Sequence, residues 1–101
     1  MRADYKVSNS FEIAKAGGKH SGFYNQYVNK PDLEIQKAIR SLEKRIAEHQ
    51  SWIQNPELHI PNFSSLDPRQ QRALVEDKWL SDIARQQEQK IILEGILQER
   101  R

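Results

Sequence analysis

The sequence predicts an all-α fold in which a long antiparallel helical hairpin carries short N-terminal helices packed on it. Apolar residues recur at helical spacing over two long segments, 32–55 and 68–98, and each segment opens with a helix-start signal. No stretch shows the sustained alternation of apolar and polar residues that a strand requires. The 101 residues have room for one domain with a modest core.

The N-terminal part is predicted to hold short elements. Residues 1–9 are polar and lack helical periodicity, which indicates an extended leader. Ser10 is a suitable N-cap for a short helix over 11–16, which a pair of glycines ends. A glycine-rich loop, 17–22, leads to a second short helix over 23–29, which stops before a proline because the preceding residue disfavours helical backbone.

The segment 32–55 gives the strongest helical pattern. Asp32 is a good N-cap, and a proline after residue 55 ends the helix. Its apolar residues recur at spacings of three and four, and a histidine occupies one position of this stripe. We therefore expect the ring of His49 to face the interior of the hairpin. The stripe consists of Ile35, Ile39, Leu42, Ile46, His49 and Ile53.

The second half is predicted to be a packed loop followed by one long helix. Residues 56–66 hold two prolines but also four apolar residues, so the loop should pack against the helices. Asp67 is then an N-cap with a proline at the first helical position. The helix spans 68–98, with a weak apolar stripe over 85–90 where we expect a bend. Gly95 predicts a frayed tail.

The composition excludes several classes of site. The absence of cysteine rules out disulfides and thiolate metal sites. No apolar run approaches the roughly 20 residues that span a bilayer, so stable membrane insertion is not expected and a membrane-permeabilising action is disfavoured. The N-terminus lacks the apolar core of a signal peptide, so an exported domain would have to be carried by something outside this sequence.

Positive charge and aromatic rings coincide near the N-terminus. The first thirty residues hold five basic and two acidic residues, a net charge of +3, whereas the remainder holds eleven basic and twelve acidic residues. Five of the eight aromatic residues also lie in the first thirty. Phosphate binding needs the positive charge and base stacking needs the rings, so this part of the chain is the predicted nucleic-acid surface.

The glycine-rich loop carries the predicted chemistry of a metal-independent ribonuclease. His20 can exchange a proton with a ribose 2′-hydroxyl, and Lys19 can stabilise the charge on the phosphate. His49 is a candidate second catalytic imidazole. Alternatively, the loop is a solvated turn and His49 is a partly buried core residue. Neither His49 nor His59 has a partner at zinc-ligand spacing, so no metal or other cofactor is predicted.

The candidate nucleic-acid contacts surround this loop. Tyr24 and Tyr27 lie three residues apart on one helical face and could stack on bases, whereas Lys15 and Ser21 could contact phosphate. The alternative for the tyrosines is that they pack their short helix onto the hairpin.

Several short motifs resemble the C-terminal domains of bacterial polymorphic toxins of the Rhs and CdiA types. The resemblance covers about residues 11–98. The motifs are Gly-Gly-Lys-His-Ser-Gly-Phe-Tyr at 17–24, Glu-Ile-Gln-Lys at 34–37, Ser-Leu-Glu-Lys at 41–44, Ile-Ala-Glu-His at 46–49, Asn-Pro at 55–56, Ile-Pro-Asn at 60–62, Leu-Asp-Pro-Arg-Gln-Gln at 66–71 and Lys-Trp at 78–79.

The resemblance implies a toxin tip that a large upstream protein delivers from the producing bacterium to the target-cell cytosol. Many such tips cut RNA or DNA, and each is neutralised by a cognate immunity protein. We therefore expect a ribonuclease with an RNA substrate and an immunity partner. The alternative is a non-enzymatic interaction protein of the immunity or adaptor type, because an amphipathic hairpin with mixed charges is equally typical of that class.

Overall fold

The computed structural model describes residues 9–101, and within them the chain is helical and without strands. The all-α prediction is therefore confirmed. The predicted leader lies outside the described residues, apart from Asn9. The α-helices are α1 (Ser10–Lys15), α2 (Ser21–Tyr27), α3 (Asp32–Gln54), α4 (Pro68–Arg72) and α5 (Trp79–Glu99). Two 3₁₀ turns, Pro56–Leu58 and Phe63–Ser65, lie between α3 and α4, and a π-helical segment, Ala73–Lys78, joins α4 to α5.

Helices α3 and α5 pack as an antiparallel hairpin. Charged side chains connect the two helices near both ends and in the middle. As the residue numbers rise along α3, the numbers of their partners fall, as antiparallel packing requires. The three contacts are Asp32 with Arg100, Glu43 with Lys90 (3.1 Å between Oε2 and Nζ) and His49 with Asp82 (3.4 Å between Nε2 and Oδ2).

The helix starts agree only partly with the predicted caps. Asp67 caps α4 as expected, since its Oδ1 accepts a hydrogen bond of 2.8 Å from the backbone N–H of Arg69. The N-cap of α3 is Pro31, and Asp32 is the first helical residue. The carboxylate of Asp32 binds the guanidinium of Arg100 instead of a backbone N–H of its own helix. Its negative charge still lies in the first turn, where the helix dipole favours it.

The irregular backbone of the last helical segment is not where the polar residues predicted it. Helix α5 continues unbroken through 85–90, whereas the π-helical segment Ala73–Lys78 precedes it. A π turn contains an additional residue and so changes the phase of the side chains that follow. Trp79, the first residue of α5, is buried. Within 85–90 the polar residue Gln86 is buried, so a polar side chain takes an interior position in this part of α5.

Helix α5 continues past Gly95, the residue whose low helix propensity predicted a frayed tail. The helix continues to Glu99, and the ring of Phe11 from α1 lies directly on Gly95. A Cβ at this position would lie 2.4 Å from two atoms of that ring. Glycine is therefore needed here for the close approach of two helices.

The core has two parts. The first joins α1, α3 and α5, and α2 packs against it through partly buried rings. The second surrounds Trp79 near the connecting loop, where Phe63 is buried and Ile60 and Leu66 are half-buried. The predicted packing of this loop is confirmed, except for Leu58, which is 65% exposed. The first part contains Phe11, Ala14, Ile35, Ile92, Leu93 and Ile96.

None of the helices between residues 9 and 101 is both long enough and apolar enough to span a membrane.

We predict that Gly95→Ala destabilises the protein although alanine is the better helix former. Displacing the Phe11 ring should cost about 1–3 kcal/mol, which exceeds the propensity gain of about 1 kcal/mol. Thermal unfolding followed by circular dichroism should show a midpoint several degrees lower. Gly22→Ala is the matched control: a Cβ there meets nothing within 4 Å, so this variant should be at least as stable as the parent. A Gly95→Ala protein as stable as Gly22→Ala would contradict the packing described.

Candidate functional site

Lys19 and His20 meet at a single carboxylate, that of Glu88 on α5. The Nε2 of His20 lies 2.8 Å and the Nζ of Lys19 lies 3.1 Å from Oε1 of Glu88. His20 precedes α2 in the left-handed region, with φ of 68°, in the turn between α1 and α2. Its side chain is only 12% exposed, whereas that of Lys19 is 68% exposed. The structure therefore brings together two of the three predicted catalytic residues.

Glu88 orients the imidazole. Burial acts to raise the pKa of Glu88, but the hydrogen bonds from His20 and Lys19 outweigh it and hold that pKa below its ordinary value. The ionised carboxylate can only accept, so Nε2 of His20 carries the hydrogen. Among the described residues Nδ1 has no hydrogen-bond partner, so in the neutral ring this nitrogen can accept a proton. The same carboxylate offsets part of the positive charge of Lys19.

His49 lies apart from this pair and faces the hairpin interior, as predicted. Its Nδ1 lies 2.8 Å from the backbone carbonyl oxygen of Arg45, and its Nε2 contacts Asp82. Its ring centroid lies 4.5 Å from that of Trp52. Because both ring nitrogens have partners, His49 is less suited than His20 to exchange a proton with a ligand. Asp82 precedes Glu88 by six residues on α5, about 9 Å along the helix axis.

Asp82 is a second point where cations converge. Lys78 and Arg85 each approach it to 3.1 Å, from the same side of α5. Burial acts to raise the pKa of Asp82, but the hydrogen bonds from these two cations lower it overall. Asp82 is therefore ionised at neutral pH and fixes the guanidinium of Arg85.

A cleft of about 330 Å³ lies between α2, α3 and α5. Arg85, which binds Asp82, lines it, and so does Gln89, the neighbour of Glu88. The remaining lining is aromatic, cationic or amide in character, with a small apolar part. Of the predicted contact residues, only Tyr27 is part of it. The cleft is lined by Phe23, Tyr27, Ala38, Ser41, Leu42, Arg45, Arg85, Gln86 and Gln89.

A second cleft, of about 380 Å³, adjoins the first along α3. Ser41 and Arg45 line both clefts, and His49 and Trp52 line the second. A polar surface thus extends from Tyr27 to the Trp52 ring.

The other predicted nucleic-acid contacts hold the short helices in place. The ring of Tyr24 packs edge-on against that of Phe11, with 6.0 Å between centroids. Lys15 pairs with Glu99, and this hydrogen bond raises the pKa of the lysine. Ser21 is the half-buried first residue of α2. A direct contact of these three with RNA stays a prediction.

Sequence reasoning missed the partners that organise the site. Glu88, Asp82 and Arg85 stand among many exposed charges, and nothing in the sequence distinguishes them. Gln86 did carry a signal, because it lies three residues after the buried Ile83, in a position of the stripe where an apolar residue is expected. The polar run there indicates a polar layer in the core and not a bend.

No group of three or more His, Cys, Asp or Glu side chains within the described part of the chain is arranged to hold a metal ion. A scan against protein-family models, a search of curated proteins and a search of solved structures find no match to this chain.

We predict that the contribution of Glu88 to stability is lost in acid. Its pKa is lowered on folding, so the stabilisation is complete above the ordinary glutamate pKa of about 4.3 and disappears as the pH falls through the lower folded value. At pH 7 Glu88→Gln should reduce the free energy of unfolding by about 1 kcal/mol. In denaturant titrations the difference between parent and variant should shrink progressively as the pH is lowered below the ordinary glutamate pKa. At pH 7 the control Glu48→Gln, a carboxylate outside any described ion pair, should unfold like the parent. A difference that does not shrink in acid would show that the ionic contact with Lys19 and His20 is not its cause.

Proposed function

We propose that this chain is a small effector domain of the polymorphic-toxin kind that cleaves RNA without a metal. The observation that carries the proposal is the arrangement at Glu88. One carboxylate orients the imidazole of His20 and also binds Lys19, and the helix that carries it also lines a cleft with two arginines and a tyrosine.

The chemistry follows from the free nitrogen of His20. Nδ1 takes the proton from a ribose 2′-hydroxyl, whose oxygen then attacks the adjacent phosphorus. The bond from phosphorus to the 5′ oxygen breaks and that oxygen takes a proton from water, which leaves a 2′,3′-cyclic phosphate and a 5′-hydroxyl end. The imidazolium then returns its proton to the solvent. Glu88 stabilises the imidazolium that forms, as the carboxylate of a catalytic triad does. Lys19 is exposed and flexible enough to turn from Glu88 to the phosphate as negative charge develops there.

The positive charge that an RNA strand needs lies along the two clefts. Arg45 lines both of them, and Lys44 lines the second. Phosphate contacts of this type position a strand without selecting its sequence. A cognate immunity protein would neutralise the domain in the producing cell by covering this surface, and delivery would take the domain to the target-cell cytosol.

A second candidate function is a non-enzymatic interaction protein. The observation that favours it is the exposure of large apolar side chains: Leu58 is 65%, Leu33 61% and Leu80 49% exposed. Apolar side chains that a partner covers leave water on binding, which is a favourable term in protein association. In this case the contacts of Glu88 only fasten the glycine-rich loop to α5.

We predict that expression of the domain in a bacterial cytosol without a partner arrests growth, and that His20→Ala relieves the arrest. A general acid–base group contributes about 10²–10⁴-fold to rate, which is enough to separate toxic from tolerated expression. Lys19→Ala should act in the same direction through lost charge stabilisation. RNA from arrested cells should show discrete fragments with cyclic phosphate ends, and the purified protein should cut RNA in the presence of a chelator.

Glu99→Gln is the matched control, because it removes an ion pair between α5 and a lysine of the N-terminal segment without touching His20. This variant should remain toxic, and circular dichroism should show that all variants fold. Unaffected growth with the parent protein would favour the interaction protein. Persistent toxicity of both His20→Ala and Lys19→Ala would show that the reaction occurs elsewhere.

A further inference from the structure

We propose that the cleft between α2, α3 and α5 binds one nucleotide, with the base edge at Gln86 and the phosphate at Arg45 and Arg85. The inference rests on the proposed function in one respect, namely that the nucleotide belongs to the RNA substrate. Binding of a free nucleotide can nevertheless be measured without any cleavage.

Gln86 is the observation that first points to a ligand. Its side chain lines the cleft, the residue is only 4% exposed, and its Oε1 has no hydrogen-bond partner. Buried polar atoms in proteins are nearly always hydrogen-bonded, since an unpartnered acceptor has lost its water without compensation. Ile83 and Leu93, in the same stripe of α5, are buried apolar residues, so an apolar residue would suit this position in the absence of a ligand. An amide offers an acceptor beside two donors, which is the pattern that matches the edge of a nucleobase.

Aromatic rings form another wall of the cleft. Phe23 and Tyr27 both line it, with 4.9 Å between their centroids and 46° between their planes. A planar base can stack on such rings, whatever its identity. The volume of about 330 Å³ lies within the range of roughly 300–1,000 Å³ that is usual for small-molecule sites.

Two guanidinium groups in the cleft supply the positive charge that a phosphate group requires. Arg85 is fixed by its contact with Asp82, and Arg45 takes part in no ion pair within the described residues. Guanidinium groups bind phosphate through paired hydrogen bonds. Inorganic phosphate would leave Gln86 without a partner, and an uncharged nucleoside would leave the arginines unused. A nucleoside monophosphate satisfies both.

Isothermal titration calorimetry with the four ribonucleoside 5′-monophosphates tests the inference on the purified full chain. At least one of them should bind, and inorganic phosphate and the corresponding nucleoside should each bind at least about tenfold more weakly. Binding should persist in His20→Ala, because His20 does not line the cleft.

Substitutions then locate the site. Arg45→Ala should weaken binding about tenfold or more, whereas Arg40→Ala, which removes the same charge from the same helix outside the cleft, should not change it. Gln86→Met, which keeps the length of the side chain and removes the amide, should weaken binding of the nucleotide about tenfold. It should also raise the unfolding midpoint of the free protein, because a buried acceptor without a partner is gone.

Three outcomes would overturn the inference. They are no binding of any of the four nucleotides, equal weakening by Arg45→Ala and Arg40→Ala, and unchanged nucleotide affinity in Gln86→Met. RNA cleavage that depends on His20 without nucleotide binding would refute this site and leave the proposed function standing. Nucleotide binding by a protein that cleaves no RNA would support the site and refute the proposed reaction.

Discussion

The packing of α5 against α3 is the constraint on which the rest of the structure depends. Helix α5 has different partners on different sides. Ile92 and Leu93 are fully buried in the core. Gly95 packs against the ring of Phe11, and Glu88 forms an ion pair with the glycine-rich loop. Neither α1 nor α2 is long enough to be stable alone in water. Their positions therefore depend on packing against the rest of the protein, and so does the position of the turn between them, which carries Lys19 and His20.

Carboxylates on α5 convert this packing into a defined arrangement of cations. Glu88 binds Lys19 and His20, whereas Asp82 binds Arg85 and contacts His49. Each carboxylate gains enough from its hydrogen bonds to remain ionised despite partial burial, which is why its pKa falls below the ordinary value. The small net charge of the protein does not reveal these clusters, because each cation in them is paired with a carboxylate.

Much of the helical framework could be predicted from the sequence, because helices follow from local periodicity. The stripe from Ile35 to Ile53 and the cap at Asp67 depend only on neighbouring residues, and both predictions agree with the structure. Gly95 misled the prediction, since its low helix propensity is a local property and its reason, the ring of Phe11, comes from the other end of the chain. The candidate site was only half predictable for the same reason. Lys19 and His20 form a recognisable loop, but their carboxylate partner is 68 residues away from His20.

The distance along the chain between His20 and Glu88 has a consequence for biosynthesis. Translation produces α1 and the glycine-rich loop before α5. These residues therefore have no α5 surface to pack against until that helix has been made. Closing so long a segment carries an entropic cost that only the completed hairpin can offset. Neither the contact at Glu88 nor the cleft can form before α5 has been made. A nascent or truncated chain that ends before α5 lacks one half of the contact and one side of the cleft. It therefore has neither feature.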